Sequence, residues 1–367
     1  MGIYLGVNSG TSADAVDCVA IQITANNFEC LGVWEFTFST ALQNTLIAAG
    51  DSPALTVREY RALEQLLHQE YLQAVKAVQN ELGSPITSIG IHGQTLQHYP
   101  DDKVAYTLQC VDGVRLAKFT GIDTVYDFRS ADIALGGQGA PLMPAFLSFL
   151  YEQMQSQQRA VFINLGGIAN ISYCEVIAGK VMTKGWDVGP ANALLDIWVQ
   201  RHLQQSYDAL GQWASSGKVC QPLLQQMLSD PYFARNPPKS THRDYFNLAW
   251  IEKYLQQTMI KPEDVQATLV QLSVQSIAAA ISPLMCPSMP VYLYGKGYKN
   301  IEIYRSLQQS LPECRVCTTA ALGLSPEAVE GGLFAWLAYC YRENKAVDLT
   351  KISGASKPCV LGVMARA

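Results

Sequence analysis

Hydrophobic positions along the chain follow two rhythms. Short unbroken apolar runs at residues 3–7, 18–23, 88–91, 124–126 and 291–294 are too brief for helices, and they read as buried strands. Residues 161–170 read as another buried strand that runs into a glycine-cornered hairpin. Elsewhere apolar residues recur at helical spacing. Thr56-Val57-Arg58-Glu59 is a capping box, and the helix it opens sets Tyr60, Leu63, Leu67, Tyr71, Val75, Val78 and Leu82 on one face before Pro85 stops it. A second helix begins at Asn192, which is placed to cap it. Pro262-Glu263-Asp264 opens a long helix that is uncharged from Val265 on, residues 301–311 form another, and Pro326 sits in the first turn of the last. That last helix carries Gly331 and Gly332, which suit close packing against another backbone.

Candidate chemistry lies where strands stop. Gly185-Trp186-Asp187-Val188-Gly189-Pro190-Ala191-Asn192 places Asp187 in a tight loop between a strand and a helix, where a carboxylate can face a ligand beside helix amides. Alone, Asp-x-Gly-Pro is more often a turn than a catalytic site. Residues 8–17 form a strand–polar loop–strand unit whose small residues and hydroxyls suit a phosphate, although many hairpins look the same. His92, Gly93, Gln94 and Thr95 follow a buried strand in a loop, the usual address of ligand contacts, while His92 by itself reads as a structural histidine. Arg129 and Gln138 stand in a glycine-rich polar loop, either a linker or a ligand-binding edge. Gly295-Lys296-Gly297 is a third strand–glycine–helix corner, suited to a nucleotide.

At 367 residues, the chain is long for one core and points to two domains. A net charge of −5 offers no footprint for nucleic acid or an anionic membrane. Ten cysteines are scattered, with only Cys314 and Cys317 paired in sequence, which suits strand residues in a reducing compartment better than a zinc site. No basic-then-apolar leader precedes Ile3, so the expected location is the cytoplasm. The uncharged run from Val265 is interrupted by Pro283, Pro287 and Pro290 and reads as a buried helix, a turn and a strand, not as a membrane span.

The two glycine hairpins heading two blocks of strands and helices resemble the actin, hexokinase and heat-shock ATPase superfamily. That resemblance implies an α/β fold of two ribonuclease-H-like (actin-like ATPase) domains with a cleft between them: residues 1–130 plus about 346–367, and residues 131–345. The finer motifs are more specific. Ser-Gly-Thr-Ser-x-Asp-x-Val-Asp, His-Gly-Gln-Thr-x-x-His, Asp-Phe-Arg, Gly-Gly-Gln-Gly-Ala-Pro-Leu, Asn-x-Gly-Gly-Ile-Ala-Asn, Asp-x-Gly-Pro-x-Asn and Pro-Pro-Lys-Ser-Thr-x-Arg together resemble the bacterial anhydro-N-acetylmuramic acid kinases, from Gly6 to about Gly362. The resemblance implies ATP-dependent conversion of 1,6-anhydro-N-acetylmuramic acid to N-acetylmuramic acid 6-phosphate with hydrolytic opening of the anhydro bond, a step of peptidoglycan recycling, by a cytoplasmic homodimer. It makes Asp187 the general base. Gly10, Thr11, Ser12, Ala13, Asp14, Ala15, Val16 and Asp17 fall in the first ATP-phosphate loop, Gly166 and Gly167 in the second, and Gly295 and Gly297 at the adenosine corner. Thr95, Arg129 and Gln138 fall in the sugar region, and Asp14 and Glu330 are assigned to Mg²⁺ or its waters.

Several positions depart from the family pattern: Lys296 between the corner glycines, Ser130 and Ala131 for arginines, Val188 and Ala191 beside the base, Gly331 and Gly332 for Ala-Leu, and His242 for glycine. They cluster at nucleotide and sugar contacts, so a paralogue acting on another sugar, or binding nucleotide without turnover, is the alternative. Asp187, Thr11, Thr95, Gly166, Gly167 and Arg243 are kept.

Overall fold

The computed structural model describes residues 2–10, 13–24, 28–50, 52, 54–153, 158–241, 245–255 and 259–367. The chain forms two compact units, Met1–Gln153 with Glu327–Ala367, and Met154–Pro326. The first begins with an antiparallel meander of β1 (Gly2–Asn8), β2 (Ala15–Ile23) and β3 (Phe28–Thr37). Helices α1 (Thr40–Gly50) and α2 (Val57–Leu82) follow. The capping box is present, with Glu59 N–H donating to Thr56 Oγ1 at 3.2 Å and Thr56 N–H to Glu59 Oε2 at 2.8 Å. Leu63, Leu67, Tyr71, Val75 and Val78 bury one face of α2, which closes on Gly83 in the left-handed region rather than at Pro85. Strand β4 (Ser88–Ile91) then runs parallel to β1. After it come a two-stranded ribbon of β5 (Gln94–Tyr99) and β6 (Tyr106–Cys110), α3 (Gly113–Thr120), β7 (Thr124–Tyr126), and helices α4 (Ser130–Ala134) and α5 (Met143–Gln153).

The second unit repeats the plan. Strands β8 (Arg159–Leu165), β9 (Ile168–Ile177) and β10 (Lys180–Pro190) form an antiparallel meander, followed by α6 (Asn192–Leu203), α7 (Gln212–Ser216), α8 (Gln221–Leu228), α9 (Leu248–Leu255) and α10 (Pro262–Ile281). Strand β11 (Pro290–Tyr294) lies parallel to β8, and α11 (Ile301–Ser310) and β12 (Arg315–Thr318) complete the unit. Helix α10, extended by a 3₁₀ turn to Leu284, is long and apolar enough to cross a membrane by length and composition. It nevertheless buries Val265, Leu269, Leu272, Val274, Ile277 and Ile281 in the core of this unit, as the uncharged run suggested.

The chain returns to the first unit through α12 (Ala328–Arg342) and β13 (Val363–Ala365), which pairs with β7. The strand orders are β13-β7-β4-β1-β2-β3 and β10-β9-β8-β11-β12. In both sheets the first strand of a meander stands beside a parallel strand, so each unit has the ribonuclease-H-like layout expected from the sequence. The units divide elsewhere than at 130 and 345, because α5 and α12 pack with the first sheet. A methyl on Gly6 would overlap the Gly331 carbonyl, and one on Gly331 would strike Val19. Phe146 of α5 meets Trp336 of α12, ring centres 5.7 Å apart.

Candidate active site

Asp187 lies within β10, paired with Asn170, and not in a loop. The ladder continues to Pro190 opposite Ile168, and the register shifts between Asp187 and Gly189, leaving Val188 as a bulge. A bulge bends its strand and re-aims the side chains beside it. Because β10 is an edge strand, its outer groups need other partners, and residues 232–241 supply them. Asp187 N–H donates to the Lys239 carbonyl at 3.0 Å, and Tyr232 Oη donates to the Asp187 carbonyl at 2.9 Å. Thr241 N–H donates to Asp187 Oδ2 at 3.0 Å. Among the described residues nothing bonds Oδ1, and the half-buried carboxyl retains it for a proton. Burial raises the Asp187 pKa, opposed in part by the Thr241 amide. A raised carboxylate is a better-matched base near neutral pH.

Asn192 does not cap α6. The cap position is Ala191, and Asn192 instead donates through Nδ2 to the Leu165 and Gly166 carbonyls at 2.9 and 2.8 Å. The backbone amides of Asn192 and Ala193 donate to the Gly166 and Gly167 carbonyls, both at 3.0 Å. The start of α6 therefore clamps the β8–β9 hairpin by its carbonyls. The amides of Gly166 and Gly167 make no backbone hydrogen bond among the described residues. A methyl on Gly166 would meet nothing nearer than the Ile168 carbonyl at 3.5 Å, so core packing does not demand glycine there. A bare turn with unspent amides fits an anionic phosphate. Gly295 and Gly297 do have packing reasons: side chains there would strike Asn164 Oδ1, and Asn192 Nδ2 with the Leu165 carbonyl. The corner thus abuts the hairpin, with Lys296 exposed beside it.

In the first unit, Ala15, Val16 and Asp17 belong to β2, and the first two are buried in its core, so the candidate phosphate loop narrows to residues 9–14. Thr11 and Ser12 lie outside the described residues, as do His242 and Arg243. Ser9 Oγ bonds Tyr71 Oη at 2.9 Å, Gln94 Nε2 donates to the Gly10 carbonyl at 3.2 Å, and Ala13 N–H donates to the same carbonyl at 3.0 Å. Ala13 takes a left-handed φ of 49°. Asp14 is half-buried after this turn, and Glu330 is half-buried in the first turn of α12. Both carry the hard carboxylate oxygens that Mg²⁺ takes as ligands.

Of the residues assigned to the sugar region, Arg129 and the loop carrying Gln138 are brought together. Arg129 donates to His92 Nε2 at 3.0 Å and to the Gly139 carbonyl at 2.7 Å. Burial lowers the Arg129 pKa to about 10. Burial, then the Arg129 charge, holds His92 well below its usual value, so its neutral ring can accept. Fully buried Asp132 fixes the Gly139 amide at 2.7 Å and Ser353 Oγ at 2.7 Å. Residues 130–134 are the short helix α4, not loop. Thr95 is in β5 rather than a loop, and its Oγ1 accepts from Gln109 Nε2 at 3.4 Å. Gln138 Nε2 donates to Asp101 at 2.8 Å. The sequence alone missed Asn192 as a clamp, the 232–241 cover, and Asp132.

A family model described as anhydro-N-acetylmuramic acid kinase matches residues 2–367. A Coxiella burnetii protein named anhydro-N-acetylmuramic acid kinase is 38% identical over 364 residues, covering 98% of this chain and 96% of that protein. The Shewanella oneidensis protein of the same name is 40% identical over 367 residues, covering 98% and 97%. Among solved structures, component A of (R)-2-hydroxyglutaryl-CoA dehydratase from Acidaminococcus fermentans matches at TM-score 0.47 and 11% identity, covering 92% of this chain and 98% of that one. A score this low adds nothing to the assignment. With full-length matches to the family model and to relatives at this identity, the chain belongs to the anhydro-N-acetylmuramic acid kinase family.

Proposed function

We propose that this protein is a sugar kinase that converts 1,6-anhydro-N-acetylmuramic acid, ATP and water to N-acetylmuramic acid 6-phosphate and ADP, in peptidoglycan recycling in the cytoplasm, as a homodimer. The observation that carries the reading is that the base and a phosphate hairpin share one scaffold. Asn170, opposite Asp187, is three residues after Gly167, which immediately precedes β9, a separation at strand rise of roughly 10 Å. A water, a sugar ring and a phosphoryl group occupy about that span.

Asp187 Oδ1 takes a proton from water as the water oxygen bonds to C1 of the sugar. The C1–O6 bond breaks, its electron pair goes to O6, and O6 bonds to the γ-phosphorus while the bond to ADP breaks. One carboxylate is enough, because the departing O6 is captured by phosphorus and needs no acid. The amides of Gly166 and Gly167, held by Asn192, bind phosphate oxygens, as does the 9–14 loop. Gly295 and Gly297 let the nucleotide corner approach the hairpin. Arg129, oriented by His92 and the Gly139 carbonyl, binds the sugar's anionic substituent, with Thr95 and Gln138 beside it. Mg²⁺, held by Asp14 and Glu330 with the phosphates, would neutralise charge on the transferring group. Positioning and charge neutralisation then supply most of the acceleration.

The test is coupled ADP release with Mg-ATP across a sugar panel. Release dependent on the anhydro sugar and equal to the sugar phosphate formed is expected. ADP release without sugar phosphate, or turnover only with another sugar, would remove this reading in favour of a binding protein or a divergent paralogue.

A further inference from the structure

The cover over the β10 edge is built around a carboxylate with no part in the chemistry above. Asp230 is 3% exposed. Its Oδ1 accepts from Tyr232 N–H at 2.9 Å and Tyr245 Oη at 2.7 Å. Its Oδ2 accepts from Trp250 Nε1 at 2.9 Å and Tyr254 Oη at 3.2 Å. Burial pushes this carboxyl up, but the donors outweigh it and hold Asp230 below its ordinary value, as an anion.

The residue thus fixed, Tyr232, is 1% exposed. Its ring stands edge-on to Phe246, centres 5.4 Å apart, and its hydroxyl reaches the Asp187 carbonyl. The Lys239 ammonium sits 4.7 Å from the ring centre and donates to the Tyr232 carbonyl at 3.3 Å. Lys239 in turn receives the Asp187 N–H. Both backbone polar groups of Asp187 therefore end on one clamp, next to the bulge where the ladder is interrupted.

We propose that Asp230 and Tyr232 are positioning residues: the carboxylate fixes the tyrosine, and the tyrosine hydroxyl holds the backbone of Asp187 so that its carboxyl meets the attacking water. The inference rests on the reading of Asp187 as the base, and neither residue touches substrate. Tyr232→Phe keeps the ring and removes only the hydroxyl. It should lower kcat about tenfold, the scale expected for a small misplacement, while KM for sugar and for ATP stays within about twofold. Asp230→Asn should do the same. Leu224→Ala, in the same core, should lower Tm and leave kcat per folded molecule unchanged. Asp187→Asn is measured alongside and should be inactive.

Should Tyr232→Phe and Asp230→Asn both keep kcat near wild type beside an inactive Asp187→Asn, or lose it only in proportion to unfolding, the proposal is overturned. A fully active Asp187→Asn removes the base itself and the proposal with it, a separate failure visible in that variant alone.

Discussion

Asp230→Ala tests how the cover over the active strand is held. The substitution leaves four donors without their acceptor: Tyr232 N–H, Tyr245 Oη, Trp250 Nε1 and Tyr254 Oη. Tyr245 and Tyr254 are half-exposed and can turn to water, whereas Tyr232 and Trp250 are buried. An unsatisfied buried donor costs about 1–3 kcal/mol, so two give about 2–6 kcal/mol. Relief from burying the charge offsets part of this, and the expected loss is about 3 kcal/mol. Urea unfolding followed by tryptophan fluorescence reads it, with Trp250 as a local reporter. The sign with pH is fixed. The folded pKa of Asp230 lies below its unfolded value, so its contribution is complete above the unfolded pKa of about 3.9 and is lost as pH falls through the folded one. Wild type and variant should differ most at neutral pH and converge in acid. A gap below about 1 kcal/mol at pH 7, where two unpaired buried donors should cost more, would refute the reasoning.

Gly6→Ala should cost about 2–3 kcal/mol in chemical denaturation, at the upper end for overpacking because the added methyl meets the backbone of α12. Asn192→Ala removes both side-chain bonds to the β8–β9 hairpin and should raise KM for ATP roughly tenfold, measured by ADP release with the sugar saturating. Because burial raises the Asp187 pKa and a base must be deprotonated, kcat should fall with decreasing pH through a midpoint above the usual carboxylate value of about 3.9.

What the sequence disclosed was local or repeated. The Thr56–Glu59 box sits within one turn, the 161–170 hairpin closes on adjacent residues, and the uncharged run from Val265 has only one way to hide its apolar side chains. What stayed hidden depends on partners far along the chain. Asn192 has the composition of a cap, but the carbonyls it binds come 26 and 27 residues earlier. Asp187 looked like a turn residue because Gly189 and Pro190 follow it, whereas the ladder to β9 absorbs both through a bulge. Ala15 and Val16 continue the small and polar run of the phosphate loop in sequence, yet pairing with β3 makes them core. The Pro-Pro-Lys-Ser-Thr motif was visible. Its service to Asp187 through Lys239 and Thr241 was not, since nothing in the sequence shows which strand edge it covers. Gly331 serves contact with β1 and β2, which only the packed sheet displays.

The most direct measurement is single-turnover ADP release and sugar-phosphate formation by purified Asp187→Asn beside wild type, with Mg-ATP and the anhydro sugar. The amide keeps an acceptor for the Thr241 N–H and removes a carboxylate whose raised pKa costs stability as pH rises through it. Tm at pH 7 should therefore be equal or higher, ATP binding retained, and the rate reduced by at least about a thousandfold. A folded Asp187→Asn protein that forms sugar phosphate at the wild-type rate would contradict the account.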